Sequence, residues 1–202
     1  MLVNDLLTHI RDGWGQAATT RWTDAELLRV TQLAAVRAQG ILQRNDVYFG
    51  RKKLDFNTVA GTGNYALPAD FASAITLTRT DQHRILTHYS QSNWDAILSA
   101  SEASCYVVDG DEILIAGVPT TVIPLRLRYW PVAPVISAGG STPWQGKLDY
   151  ILIGYIKASL YNTDEMNIGQ DIELLQDLEN NIVAQFAGEA PAVETHRGWM
   201  VV

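Results

Sequence analysis

Hydrophobic residues recur with helical spacing most regularly between residues 145 and 162. The apolar positions of this stretch are Leu148, Ile151, Leu152, Tyr155, Ile156 and Leu160. Such spacing lines one face of an α-helix, and the charged Lys147, Asp149 and Lys157 fall off that face. The pattern predicts a helix that begins after Thr142-Pro143 and packs against more than one partner, because its apolar stripe is wide.

Two further helices are predicted ahead of this central one. Residues 2–12 carry apolar positions at helical spacing and are followed by Gly13, which stops the pattern. Thr23 and Glu26 fit a capping box, in which each side chain accepts a hydrogen bond from the other residue's backbone N–H. The apolar, alanine-rich face that follows extends to about Arg44.

Arginines mark one side of this second helix. Arg29, Arg37 and Arg44 recur at intervals close to two helical turns, so they share a side. Such a basic stripe is either a solvated surface or a contact with an acidic neighbour, and both interpretations stay open at this point.

A last helix is predicted after Ile168, with an apolar inner stripe and a stop at Gly188. Acidic residues lie outside that stripe or at its edge: Asp171, Glu173, Asp177 and Glu179. The remaining tail ends in four apolar residues, Trp199, Met200, Val201 and Val202. An end of this kind either packs on its own domain or docks on a partner.

Between residues 47 and 141 the hydrophobic period changes to two, and turn residues divide the stretch. We expect about six or seven strands, with hairpins around residues 60–64 and at Asp109-Gly110-Asp111. The predicted fold is therefore α+β. A helical bundle of residues 1–46 and 142–188 carries an inserted antiparallel β-sandwich or barrel-like domain of residues 47–141. Residues 189–202 form an extended C-terminal tail.

Charge and composition narrow the functional classes. The net charge of −7 argues against tight binding of nucleic acid, which requires clustered Lys and Arg. The charge is also uneven, with +3 over residues 1–53, −4 over residues 54–130 and −6 over residues 131–202. This distribution predicts a surface with a basic and an acidic face.

Catalysis and membrane insertion find no support in the sequence. Cys105 is the single cysteine and lies in a predicted strand, which excludes an internal disulfide. The four histidines fall in separate segments without metal-ligand spacing, and no nucleophile motif accompanies them. No apolar run approaches the roughly 18 residues of a membrane span. We therefore expect a soluble, non-enzymatic protein, made in a cytoplasm, without catalytic residues, metal or cofactor.

Several short stretches resemble those of a known family. A capped amphipathic helix precedes Gly61-Thr62-Gly63-Asn64-Tyr65-Ala66-Leu67-Pro68-Ala69-Asp70-Phe71, which leads directly into a strand. A unit of tyrosine, hairpin, strand and proline (residues 106–119) and Leu125-Arg126-Leu127-Arg128-Tyr129-Trp130-Pro131 follow, before two final helices. This order, over residues 22–187, resembles the head–tail adaptor proteins of tailed bacteriophages, also called connector, head-completion or tail accessory proteins.

The resemblance implies a structural virion protein without catalysis or cofactor. Proteins of that family form a ring, usually dodecameric, beneath the portal of the DNA-filled capsid. The ring carries the tail or nozzle, and the genome passes through its bore. The implied partners are the portal protein, a tail, nozzle or head-completion protein, further copies of the chain, and passing DNA that is not held tightly. The implied location is the head–tail interface of the virion, after synthesis in the host cytoplasm and without a membrane.

Three sets of residues become candidate interaction sites within that framework. An acidic surface of Asp171, Glu173, Asp177 and Glu179 would face the bore, where it repels DNA phosphates, or a neighbouring subunit. The arginines at 29, 37 and 44 would meet the acidic helix of a neighbour in a head-to-tail contact. The tail end, residues 199–202, would anchor the subunit on the portal or on a neighbour.

Two other functions compete with the adaptor. A β-sandwich module of a phage tail or baseplate could bind carbohydrate or a receptor, with Trp94, Tyr106, Tyr129 and Trp130 as stacking residues. Core packing is the other role open to these aromatic residues, because most of them fall within predicted strands or helical stripes. A small hydrolase is the third possibility, and no motif supports it.

Overall fold

The computed structural model describes residues 1–13, 22–93 and 103–163, and the helical positions 176, 177, 179–181 and 184. The chain divides into two compact units, one of Met1–Gly50 with Ala133–Val202 and the other of Arg51–Val132. Helices dominate the described part of the first unit, and strands form the second. This combination confirms the predicted α+β class.

Among the described residues of the first unit, three helices have defined bounds: α1 (Val3–Asp12), α2 (Asp24–Arg44) and α3 (Asp149–Thr163). Both α1 and α2 pack against α3. The buried side chains of α3, each at most 2% exposed, are Ile151, Leu152, Tyr155, Ile156, Ala158 and Leu160. The wide stripe is thus covered from two sides, as its width predicted. The further helix predicted after Ile168 lies largely outside the described residues.

The central helix begins later than residue 145, where the sequence pattern placed its start. Trp144, Gln145 and Gly146 have φ values of 53°, 56° and 80°, in the left-handed region that an α-helix cannot include. They belong to a short 3₁₀ segment, Pro143–Gly146, that precedes Asp149. Hydrophobic spacing does not report backbone handedness, so the prediction extended the helix over this turn.

The start of α2 follows the predicted capping box. Thr23 N–H donates to the Glu26 carboxylate at 2.8 Å, and Glu26 N–H donates to the Thr23 hydroxyl at 3.3 Å. The pKa of Glu26 is lowered, chiefly because its carboxylate accepts the Thr23 backbone N–H. The reciprocal bonds satisfy two backbone donors that a helix N-terminus otherwise leaves open.

Eight described strands build the second unit, against the six or seven expected. They are β1 (Lys52–Asn57), β2 (Asn64–Ala66), β3 (Phe71–Arg79), β4 (Arg84–Ile85), β5 (Thr87–His88), β6 (Cys105–Asp109), β7 (Glu112–Ala116) and β8 (Pro124–Pro131). One sheet has the order β1-β8-β3-β4 and the other β2-β7-β6-β5. All pairs are antiparallel except β5 with β6. The two sheets share one hydrophobic core, which includes Leu77 and Leu127 of the first and Tyr106 and Ile115 of the second.

The hairpin predicted around residues 60–64 is wrong, whereas the one at Asp109-Gly110-Asp111 is confirmed. β1 pairs with β8 and β2 pairs with β7, so the loop between β1 and β2 crosses from one sheet to the other. Glycines in a loop indicate a turn, but they do not say which strands pair. By contrast, β6 and β7 pair directly, with Asp109 opposite Glu112 and Gly110 at φ 56° in the turn.

Candidate interaction surfaces

The exposed side of α2 combines apolar and basic groups. Leu33 and Val36 are 57% and 52% exposed, although both are large hydrophobic residues. Their positions and those of the three arginines at 29, 37 and 44 fall within an arc of about 100° at the helical repeat. All three arginines are exposed. A Cβ at Gly40, on the same arc, would meet no atom within 4 Å.

Arg37 and Glu179, which the sequence assigned to two separate surfaces, contact each other within one chain. Arg37 Nη2 lies 3.0 Å from Glu179 Oε1, and Nε lies 3.3 Å from the same oxygen. The Tyr155 hydroxyl donates to this oxygen at 3.4 Å, and the guanidinium carbon lies 4.9 Å from the Tyr155 ring centre. Burial, followed by the negative charge of Glu179, raises the pKa of Tyr155. The contact joins α2 and α3 to the segment that carries Glu179.

The other predicted interaction residues are only partly described. Asp177 is exposed. Asp171 and Glu173 lie outside the described residues, and so do Trp199, Met200, Val201 and Val202. The acidic surface and the tail anchor therefore stay predictions.

A second surface lies in the β unit, on the face of the first sheet turned away from the unit's core. Side chains alternate along β1 and β8, with Leu54 and Leu127 packed in or against the core. Residues of opposite parity thus face away from the core, and the strand register sets them in rows. One row is Asp55, Arg126 and Thr78, and the next is Lys53, Arg128 and Thr76.

The first row contains an ion pair of opposite charges, whereas the second contains two positive charges. Arg126 holds Asp55 with two bonds, from Nε at 2.6 Å and from Nη2 at 3.1 Å. This ion pair lowers the pKa of Asp55, chiefly through the hydrogen bond from Arg126. Lys53 and Arg128 stand directly opposite each other, and both are exposed. Within the described part of the chain, neither side chain makes a hydrogen bond or an ion pair, and Lys53 acts on Asp55 only through its charge. We name Lys53, Arg128 and Thr76 the cationic row.

The tip of the β6–β7 hairpin is acidic. Asp109, Asp111 and Glu112 are all exposed, and Asp109 stands directly opposite Glu112. Neutral amides contact two of these carboxylates, from Gln91 to Asp109 at 2.9 Å and from Asn64 to Glu112 at 3.3 Å. The negative charges are therefore not neutralised by these bonds. We name the three carboxylates the acidic tip.

A groove of about 510 Å³ lies beside the acidic tip. Its apolar lining includes Leu67 and Pro68 of the loop between β2 and β3, and Phe71 at the start of β3. Its acidic edge is formed by Asp111 and Glu112. An apolar floor with a carboxylate edge suits the side chain of a lysine or arginine, whose stem is apolar and whose end is cationic.

Three aromatic residues proposed for carbohydrate stacking are buried instead. Tyr106 is 2% exposed, and Tyr129 and Trp130 are each 5% exposed. The Tyr129 hydroxyl donates to Asp70 at 2.9 Å, and Lys52 Nζ lies 2.6 Å from the other oxygen of that carboxylate. Core packing is thus the role of these rings, and Trp94 lies outside the described residues.

Neither a metal-binding cluster nor a membrane-spanning helix occurs among the described residues. Among them, no group of three or more His, Cys, Asp or Glu side chains is arranged to hold a metal ion. Cys105 is buried. None of the helices in the described ranges is both long and apolar enough to cross a membrane.

The sequence analysis did not predict the cationic row, and it predicted the acidic tip only as a hairpin turn. Alternation of Lys53 and Asp55 with Leu54 and Phe56 was the available signal for a strand that includes Lys53. Even with that strand, the pairing of Lys53 with Arg128 depends on register between segments about 75 residues apart, which one sequence does not specify.

Comparison with known proteins gives one family. A family model described as "SU10 adaptor protein" matches residues 1–192, which include the whole second unit and most of the first. No curated protein matches the chain.

Proposed function

The chain belongs to the SU10 adaptor protein family, a family of phage head–tail adaptors, and from this premise we propose that it forms a ring under the portal. The ring joins the capsid to the tail or to a head-completion protein, and the genome passes through its bore. The observation that carries this proposal is the family match over residues 1–192. A structural role in the virion requires no catalysis, and the exposed Leu33 and Val36 on α2 support a contact with another protein.

The exposed side of α2 supplies one ring contact in this proposal. Interfaces between proteins place apolar side chains at the centre and favour arginine over lysine. Leu33 and Val36 provide the apolar centre, and Arg29 and Arg44 provide the charged edge. Arg37 is engaged with Glu179 of its own chain, so the contact with an acidic neighbour rests on the other two arginines.

The roles of the predicted acidic surface and of the tail are also part of this proposal. Asp171, Glu173 and Asp177 would face the bore or a neighbour and repel passing phosphates. Glu179 would contribute to the same acidic segment while it holds that segment on α2 through Arg37. The tail end, residues 199–202, would dock on the portal or on an adjacent subunit.

Electron microscopy of the protein mixed with the portal of the same phage tests the proposal. We expect an axial ring with a central hole, of twelve copies as is usual for such adaptors. Deletion of residues 189–202 should prevent docking if the tail is the anchor. The ring proposal fails if portal particles remain bare at concentrations where the protein is in excess.

A glycan array separates the adaptor from the carbohydrate-binding alternative. We expect no glycan to be retained, because Tyr106, Tyr129 and Trp130 are buried. Retention of a glycan by a chain that forms no ring would favour the alternative.

A further inference from the structure

Three pairs of like charges stand directly opposite each other in the described β unit: Arg79 with Arg84, Lys53 with Arg128, and Asp109 with Glu112. Like charges at directly opposed positions of antiparallel strands destabilise a sheet. In the first pair, Asp81 forms an ion pair with Arg79 at 2.8 Å and offsets the repulsion. The other two pairs are unfavourable in the isolated subunit, and each would be relieved by a partner of opposite charge.

The two surfaces are complementary in charge. The cationic row presents two long side chains from a sheet face, and the nearby Asp55 attracts Lys53 through its charge while its carboxylate is bonded to Arg126. The groove beside the acidic tip has an apolar floor that includes Leu67 and Phe71, and Asp111 and Glu112 at its edge. An aliphatic stem on that floor with its cation at the carboxylates would satisfy both surfaces at once.

We propose that the cationic row of one copy binds the acidic tip and groove of the next copy, so that β units join head to tail around the ring. This inference rests on the proposed ring. The two contacting surfaces differ, so the contact is heterologous, and heterologous contacts close into rings when the rotation fits. Lys53 and Arg128 supply the cations, and Asp111 and Glu112 receive them.

Duplex DNA is the other polyanion that a cationic surface could bind, and the charges disfavour it. Two uncommitted cations correspond to about two phosphate contacts, too few for stable binding at physiological salt. The chain as a whole carries a net charge of −7 and repels phosphate. The acidic tip, by contrast, is present once in every copy and offers three carboxylates.

Charge reversal with complementation tests the contact. The first variant is Lys53→Glu with Arg128→Glu, the second is Asp111→Lys with Glu112→Lys, and a third chain carries all four substitutions. Each of the first two should reduce the fraction of portal particles with a complete ring by about tenfold or more, since opposed charges become like charges. An equimolar mixture of these two should restore rings, because each variant then meets a neighbour of opposite charge. The fourfold variant should assemble alone for the same reason.

Arg84→Glu is a control for the reversal of an exposed arginine elsewhere on the same sheet. Arg84 is exposed on β4 of the same sheet, and its pairing with Arg79 places it outside the cationic row. The control should assemble as the unmodified protein does. Restoration in the mixture shows that the variants are folded, because misfolded chains could not complement each other.

The outcomes separate this inference from the ring itself. Absence of rings for the unmodified protein contradicts the proposed function. Normal rings for both reversed variants, or loss of rings without restoration in the mixture, overturns only the contact proposed here. Retention of duplex DNA that depends on Lys53 and Arg128, with rings unaffected, would assign the surface to nucleic acid and likewise overturn it.

Discussion

The buried hydroxyl of Thr58 connects two loops of the β unit by hydrogen bonds, and removal of this hydroxyl tests that connection. The hydroxyl accepts the Ile123 backbone N–H at 2.8 Å and donates to the Thr121 carbonyl at 3.1 Å. Thr58 and Ile123 are each 1% exposed. Thr58→Val keeps the shape of the side chain and deletes both hydrogen bonds.

The expected loss of stability depends on which of the two hydrogen-bond partners of the hydroxyl is buried. Without the hydroxyl, the Ile123 N–H loses its acceptor in a buried place, which costs about 1–3 kcal/mol. Thr121 is exposed, so water can replace the lost donor at its carbonyl for little free energy. We therefore expect Thr58→Val to lower the free energy of unfolding of the β unit by about 2 kcal/mol.

Urea unfolding combined with amide hydrogen exchange measures this effect. The global free energy should fall as stated, and the Ile123 amide should exchange faster than in the unmodified protein. Thr58→Ser is the control, because it keeps the hydroxyl and loses only one methyl group, at a cost of about 1 kcal/mol. Equal stability of Thr58→Val and the unmodified protein, with Ile123 still protected, would refute the assignment of this hydroxyl as the joint.

Three further predictions follow from the described contacts. Burial, aided by Asp70, raises the pKa of Tyr129 to about 12. The neutral Tyr129 side chain therefore contributes fully to stability below about pH 10, and this contribution is lost as the pH rises through about 12. NMR titration of the Tyr129 ring should show the raised pKa, and Asp70→Asn should lower it. Glu179→Gln should lower the pKa of Tyr155, measured by NMR titration. It should reduce the free energy of unfolding by less than about 1 kcal/mol, since the ion pair of Glu179 with Arg37 is half-exposed. An unchanged pKa of Tyr155 would contradict its contact with Glu179. Leu33→Ser should change monomer stability by less than about 0.5 kcal/mol in urea unfolding, yet reduce ring formation on portal particles, and normal rings would exclude this side of α2 from the interface.

The helical part of the fold was the most predictable from sequence. Capping at Thr23 and Glu26 is a local interaction, and its residues are three positions apart, so a single sequence displays it. The wide apolar stripe of α3 also predicted its burial correctly, because the apolar face of a helix is the face that packs against its neighbours. The late start of α3 at Asp149 could not be seen, since left-handed φ values at Trp144 and Gln145 leave no mark in the hydrophobic pattern.

Strand pairing and the interaction surfaces were less accessible, because they depend on contacts between distant segments. Sequence periodicity showed that β1 and β8 are strands, but not that Lys53 stands opposite Arg128. The stripe of Arg29, Arg37 and Arg44 was correct as a shared side of α2. The partner of Arg37 was not predictable, since its contact with Glu179 joins residues 142 positions apart.

The pairing of β1 with β8 also determines how the β unit would respond to force. The chain enters this unit on β1 and leaves it on β8, where Lys52 stands opposite Tyr129, so both connections lie at the same end of one sheet. Tension applied across those two connections would pull antiparallel strands apart from one end and break their hydrogen bonds one rung at a time. Such unzipping resists force far less than shear, in which all rungs are loaded together. A subunit of the proposed ring should therefore transmit tension through its helices, and its β unit should be loaded only in compression or through side contacts.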